Sequence, residues 1–133
     1  MFGRKRSKTK KVAIVPASVI FSLMKECVEI DAPVLNLKIQ YKDEIYRLGI
    51  ASDFDQKKGG FFDTVFFVAG DVKKPWDNGL NYRTLDDFWQ AARLGDVFMA
   101  DIKDDITILE EEDVGCPSNI TMLIPYIVEV EKS

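Results

Sequence analysis

The sequence predicts an α+β domain: a mostly antiparallel sheet with two helices packed on one face, in the order β-α-β-β-β-α-β-β-β. Two stretches repeat their apolar residues at helical spacing, and most of the remainder reads as short strands rich in β-branched and aromatic residues. Turn-forming residues separate those strands closely enough for hairpins, which makes neighbouring strands antiparallel. The chain lacks the alternating strand–helix–strand series that builds a parallel nucleotide-binding sheet.

In chain order, Val12–Val15 is a short strand, and Pro16 suits a first helical turn because a helix start leaves that N–H unpaired anyway. Val19, Ile20, Leu23, Met24 and Cys27 recur at three- and four-residue steps, giving one apolar face of a helix from Ala17 to about Val28. Asp31-Ala32-Pro33 ends it. Leu35, Leu37, Ile39 and Tyr41 alternate with polar residues and form a half-buried strand, and Lys42-Asp43-Glu44 turns the chain into a partner strand through Ile45, Leu48 and Ile50.

Gln56–Gly60 is a loop, and Phe61–Val68 has no polar alternation at its middle, which predicts a central strand buried on both faces. Gly70–Leu80, with Pro75, Asn78 and Gly79, is a long loop. Thr84 offers an N-cap, Leu85, Phe88, Trp89 and Ala92 share a helical face through Leu94, and Gly95 supplies the stop. Phe66 and Trp89 are expected in the core. Val97–Ile102 and Ile106–Leu109 read as short strands and Glu110–Ser118 as a loop. Ile120–Val130 is a last strand, which Pro125 places at an edge or a bulge.

The 133 residues, 47% apolar and 30% charged, suffice for one core and not for two. Residues 12–133 are expected to form that single domain, preceded by a flexible basic tail over residues 1–11. The tail holds Arg4, Lys5, Arg6, Lys8, Lys10 and Lys11 and no acid. Without those six of the 18 bases, 12 stand against 22 acids, a balance of −10 for the body. Such a body repels nucleic acid and anionic membranes and attracts basic partners; the tail alone is suited to touching phosphates.

The basic start and the apolar Val12–Met24 imitate a secretory signal. However, Pro16, Ser18 and Ser22 interrupt the run, and Lys25-Glu26 stand where cleavage needs small residues. Two cysteines, Cys27 and Cys116, in no CxxC spacing, fit a reducing compartment, and a cytoplasmic location is expected.

With no histidine, the chain lacks the commonest neutral-pH base, the commonest transition-metal ligand and the Ser-His-Asp or Cys-His nucleophile systems. Neither a GxxxxGK[ST] loop nor a strand followed by GxGxxG occurs. No cofactor is expected. Carboxylates remain: Asp101, Asp104, Asp105, Glu110, Glu111, Glu112 and Asp113 gather seven acids around one lysine. Their spacing is not that of an EF-hand, and Asp101-Ile102-Lys103 is only the half of a nuclease motif.

Two function classes follow. The first is a non-catalytic binding protein whose acidic surface engages a basic protein partner through Asp101–Asp113. Small acidic inhibitors that neutralise basic toxins or nucleases, as immunity proteins do, share this composition. The second is a small carboxylate-based enzyme or divalent-cation-binding domain using the same acids. Trp76, in its Pro/Asn/Gly loop, either tucks beneath that loop or serves the first class as an apolar anchor.

Overall fold

The computed structural model describes residues 9–112 and 118–131. Its elements are β1 (Thr9–Val15), α1 (Ala17–Glu29), β2 (Leu35–Tyr41), β3 (Glu44–Asp55), β4 (Gly60–Gly70), β5 (Leu80–Tyr82), α2 (Leu85–Ala91), β6 (Arg93–Leu94), β7 (Val97–Phe98), β8 (Ile106–Glu112), α3 (Ser118–Leu123) and β9 (Ile127–Glu131). Seven strands form one sheet in the order β5-β4-β3-β2-β8-β1-β9, with every described pairing antiparallel, while β6 and β7 form a separate small hairpin. The fold is the expected α+β arrangement.

One hydrophobic cluster lies between one face of the sheet and the helices. From α1 it takes Ala17, Ile20, Leu23, Met24 and Cys27, the face that three- and four-residue spacing marked. From the sheet it takes alternate residues: Leu35, Leu37 and Ile39 of β2, Leu48 and Ile50 of β3, Phe66 and Val68 of β4, and Ile106 and Ile108 of β8. Phe88 of α2 and Leu123 of α3 complete it. Among the described residues, no helix packs on the other face of the sheet.

Several local expectations need correction. Thr9, Lys10 and Lys11 are not tail: they pair with Glu131, Val130 and Glu129 as the start of β1. Met1–Lys8, Asp113 and Cys116 lie outside the described residues. The central strand is β2, fourth of seven, and not Phe61–Val68. The β3–β4 hairpin outruns its shorter neighbour, so Phe66–Ala69 are buried where β3 and β5 flank them, but Phe62 and Asp63 are exposed toward its tip.

Helix α2 begins as expected, with the Thr84 hydroxyl accepting from the Asp87 N–H at 3.0 Å, but stops at Ala91. Ala92 is already extended, and Gly95, at φ 63°, turns the β6–β7 hairpin instead of ending the helix. After Phe98 the chain makes a 3₁₀ turn, Met99–Asp101, that buries Met99, so no strand runs to Ile102. The segment from Ile120 to Val130 begins helically in α3, passes through a 3₁₀ turn at Ile124–Tyr126 containing Pro125, and becomes strand only in β9, at the sheet edge. A short apolar run has no period long enough to choose between strand and helix. Among the described residues, no helix is long and apolar enough to cross a membrane.

Of the two adjacent rings of α2, Phe88 is fully buried, 6.4 Å from Phe66 and 5.8 Å from Tyr82 between centroids; Trp89 is half-buried, edge-on to Phe21 at 5.0 Å. Phe88→Ala is therefore expected to lower the unfolding free energy by about 3–5 kcal/mol, and Trp89→Ala by less. Urea midpoints of the two variants check this; equal losses would contradict the assigned core.

Candidate functional site

The helix-free face is built from two cross-strand rows. One runs Glu110, Lys38, Arg47, Ala69 across β8, β2, β3 and β4; the next runs Glu112, Asn36, Gly49, Phe67, Asn81 and reaches β5. The glutamates stand in these rows because of a bulge. Ile39 faces Ile108, yet Lys38 faces Glu110, so Leu109 is an extra residue in β8. Side chains alternate along a strand, so one inserted residue exchanges the faces beyond it. It sends Glu110 and Glu112 to the helix-free face and leaves Glu111 opposite Leu37 on the core side.

Arg47 is the hub of this face, with its side chain only 13% exposed. Its Nε donates to Asp71 Oδ1 at 3.1 Å, and its two terminal nitrogens lie 3.4 Å from Glu112 and 3.9 Å from Glu110. Lys38 adds contacts to Asp71 at 3.7 Å and Glu110 at 3.9 Å. Three carboxylates thus meet two cations.

Asp71 opens the loop that follows β4, and its ion pairs bring that loop down on the helix-free face. Inside the loop, the Asn78 amide donates to the carbonyls of Lys73 and Lys74 at 2.9 and 3.0 Å, and the Asn81 amide donates to the Trp76 carbonyl at 2.8 Å. Gly79 lets the return strand lie close: a Cβ there would stand 2.3 Å from the Val68 carbonyl oxygen. Trp76 is held half-buried, its ring edge-to-face on Phe67 at 6.0 Å. Phe67 is fully buried although no helix covers it.

The indole divides two clefts that share Asn36. The smaller, about 340 Å³, contains Arg47, Asp71, Lys73, Lys74 and Glu112. The larger, about 570 Å³, is lined by Ser52, Asn81 and three carboxylates, Asp53, Asp63 and Asp77, with no base on its described lining. Asp63 is there through a second bulge: Ser52 alone opposes Asp63 and Thr64, and Asp63 takes φ 52°, a left-handed conformation that Asp tolerates better than most residues. The Ser52 hydroxyl is bonded to the Pro33 carbonyl at 2.9 Å and to the Thr64 hydroxyl at 2.8 Å.

The acids singled out by sequence are dispersed. Glu110 and Glu112 belong to the Arg47 network and lie in β8, not on a loop. Glu111 is on the opposite face, near Leu123 and Lys11 in a cavity of about 210 Å³, where burial pushes its carboxyl above the ordinary 4.5 and one oxygen has no hydrogen-bond partner among the described residues. Asp101, Asp104 and Asp105 lie beyond the other end of β8; Asp104 is 3.8 Å from Lys42 and accepts from the Tyr41 hydroxyl at 3.4 Å. The described residues hold no group of three or more acids or cysteines placed to bind a metal ion. Composition pointed to one end of the chain, whereas Asp53, Asp63 and Asp77 escaped notice because they are separated in sequence and meet only through the hairpin and its loop.

Two expectations follow. Arg47→Met removes the charge that Asp71, Glu110 and Glu112 share. A buried pair broken on one side costs 3–5 kcal/mol; here the carboxylates are about half exposed, so a loss of about 1–3 kcal/mol is expected. Faster amide exchange at Asp77 and Asn78 should accompany it, and unchanged exchange would mean that the loop does not depend on Arg47. Glu111 has a raised folded pKa, so its contribution to stability is full below the unfolded pKa and is lost as pH rises through the folded one. Glu111→Gln is therefore expected to raise the melting temperature at pH 7, with the gain shrinking as pH falls through the folded pKa and essentially gone by about pH 3; an equal gain at pH 7 and at pH 3 would contradict the assignment.

Compared with known protein families, curated proteins and solved structures, the chain matches none.

Proposed function

We propose that this is a non-catalytic binding protein whose acidic surface engages a basic protein partner. The observation that carries this reading is the helix-free face: the sheet is covered on one side only, and the other side presents a carboxylate-lined cleft beside the indole of Trp76. The body's balance of −10 supplies long-range attraction for a cationic partner, and an aromatic ring within a polar rim is the usual makeup of an interface anchor. A basic toxin or nuclease held by an acidic inhibitor is a partner of this kind, and two unpatterned cysteines agree with a cytoplasmic setting. The contact surface we propose is centred on Trp76, with the exposed Asp101, Asp104 and Asp105 acting at longer range.

The experiment is capture of the partner from the source cell, followed by association kinetics across ionic strength. Attraction between exposed charges is screened over about 8–10 Å at physiological salt, so the association rate should fall steeply with salt while dissociation changes little. Replacing Asp101, Asp104 and Asp105 together by Asn should slow association without unfolding the domain. Association that is indifferent to salt and to these substitutions would defeat the reading. Glu110 and Glu112 are unsuitable for this purpose, because changing them also breaks the Arg47 network.

A further inference from the structure

We propose that the larger cleft is a seat for a single arginine side chain of the partner, stacked on Trp76 and held by Asp53, Asp63 and Asp77 over Asn36; this rests on the reading above and adds the place and the chemistry of the contact. Two independent observations point to the same ligand. First, among the described residues none of the three carboxylates makes an ion pair or a side-chain hydrogen bond, while the acids of the neighbouring network are matched by Arg47 and Lys38. Second, Asn36 is the one buried polar residue among the described residues: it is 5% exposed, it lines this cleft, and its side chain makes no hydrogen bond among the described residues.

The three carboxylates are negatively charged acceptors, so the ligand that matches them is rich in donors and positively charged. A guanidinium meets this requirement: it carries five N–H donors in a planar fork, it stacks on indole, and it is more weakly hydrated than an ammonium. The cleft, at about 570 Å³, falls within the roughly 300–1,000 Å³ typical of ligand sites and exceeds the needs of one side chain, leaving room for the flanking partner backbone. The ring stays in place because the Asn81–Trp76 hydrogen bond and the Phe67 contact fix it beforehand, so little ordering is required on binding.

The test measures affinity for fluorescent oligo-arginine and oligo-lysine peptides of equal charge, with circular dichroism to confirm folding. The arginine peptide should bind the more tightly. Asp53→Asn, Asp63→Asn and Asp77→Asn combined should weaken it by about ten-fold or more, whereas the charge-matched set Asp101→Asn, Asp104→Asn and Asp105→Asn should weaken it by only about two- to three-fold. Asn suits position 63 because it too tolerates left-handed backbone. Trp76→Leu should cost roughly five-fold or more, with partial recovery in Trp76→Phe. Asn36→Leu supplies a readout that a structural role would not give: removing an unmatched acceptor leaves stability equal or higher, while affinity for the arginine peptide falls. If the two triple variants lose affinity equally, binding is by general surface charge; the acidic-surface reading then stands and the arginine seat falls. If neither peptide binds the wild-type protein even at low salt, both fall.

Discussion

Arg47 is a charge in a place where a charge must be matched. It sits in β3, next to the central strand, with its side chain only 13% exposed, on a face that no helix shields. An unpaired guanidinium there would be strongly unfavourable, so the surrounding chain has to deliver carboxylates to it. Two come from β8 and one from the loop after β4. The bulge at Leu109 is what turns Glu110 and Glu112 toward it; in a regular ladder those two positions would face the core, and Glu111 alone would lie on the helix-free face, opposite Asn36. The ion pairs and the bulge are thus one arrangement, and each accounts for the other.

The same guanidinium sets the position of the candidate site. Asp71 is tied to Arg47 and Lys38, and a few residues later the loop places Trp76 over Phe67. This closes the helix-free side of β4 with an indole instead of a further layer of helices, and it leaves clefts on both sides of the ring. One cleft contains the matched charges and the other the unmatched ones. That difference separates a structural ionic network from a surface equipped to receive something, and it directs attention from the run Glu110–Asp113 to Asp53, Asp63 and Asp77. The densest acidic stretch of the sequence is engaged in holding the fold together, at least at Glu110 and Glu112.

Glu111 shows the cost of this design. Alternation beyond the bulge puts its carboxyl on the core side, where burial favours the neutral form. A strand ending in three consecutive glutamates must turn at least one of them inward, whichever register it adopts. The register found here turns in one and matches two, which is the better of the two choices when Arg47 and Lys38 lie across the ladder.

By itself, the sequence determined the elements whose signal is local. The face of α1, the Thr84 cap, the β2–β3 hairpin with its Lys42–Asp43 turn, and the predominance of antiparallel pairing all follow from periods of 3.6 and 2 and from the chemistry of single turns. It also determined the excess of negative charge. Tertiary structure alone decided which strand lies at the centre, because β2 and β4 are both apolar enough and only the sheet order distinguishes them. It decided that Thr9–Lys11 join a strand, since three lysine- and threonine-bearing positions have no apolar signal and are held by hydrogen bonds to β9. And it decided the candidate site, because a bulge is one extra residue with no sequence mark of its own, and two bulges determine which carboxylates meet cations and which remain unmatched beside Trp76.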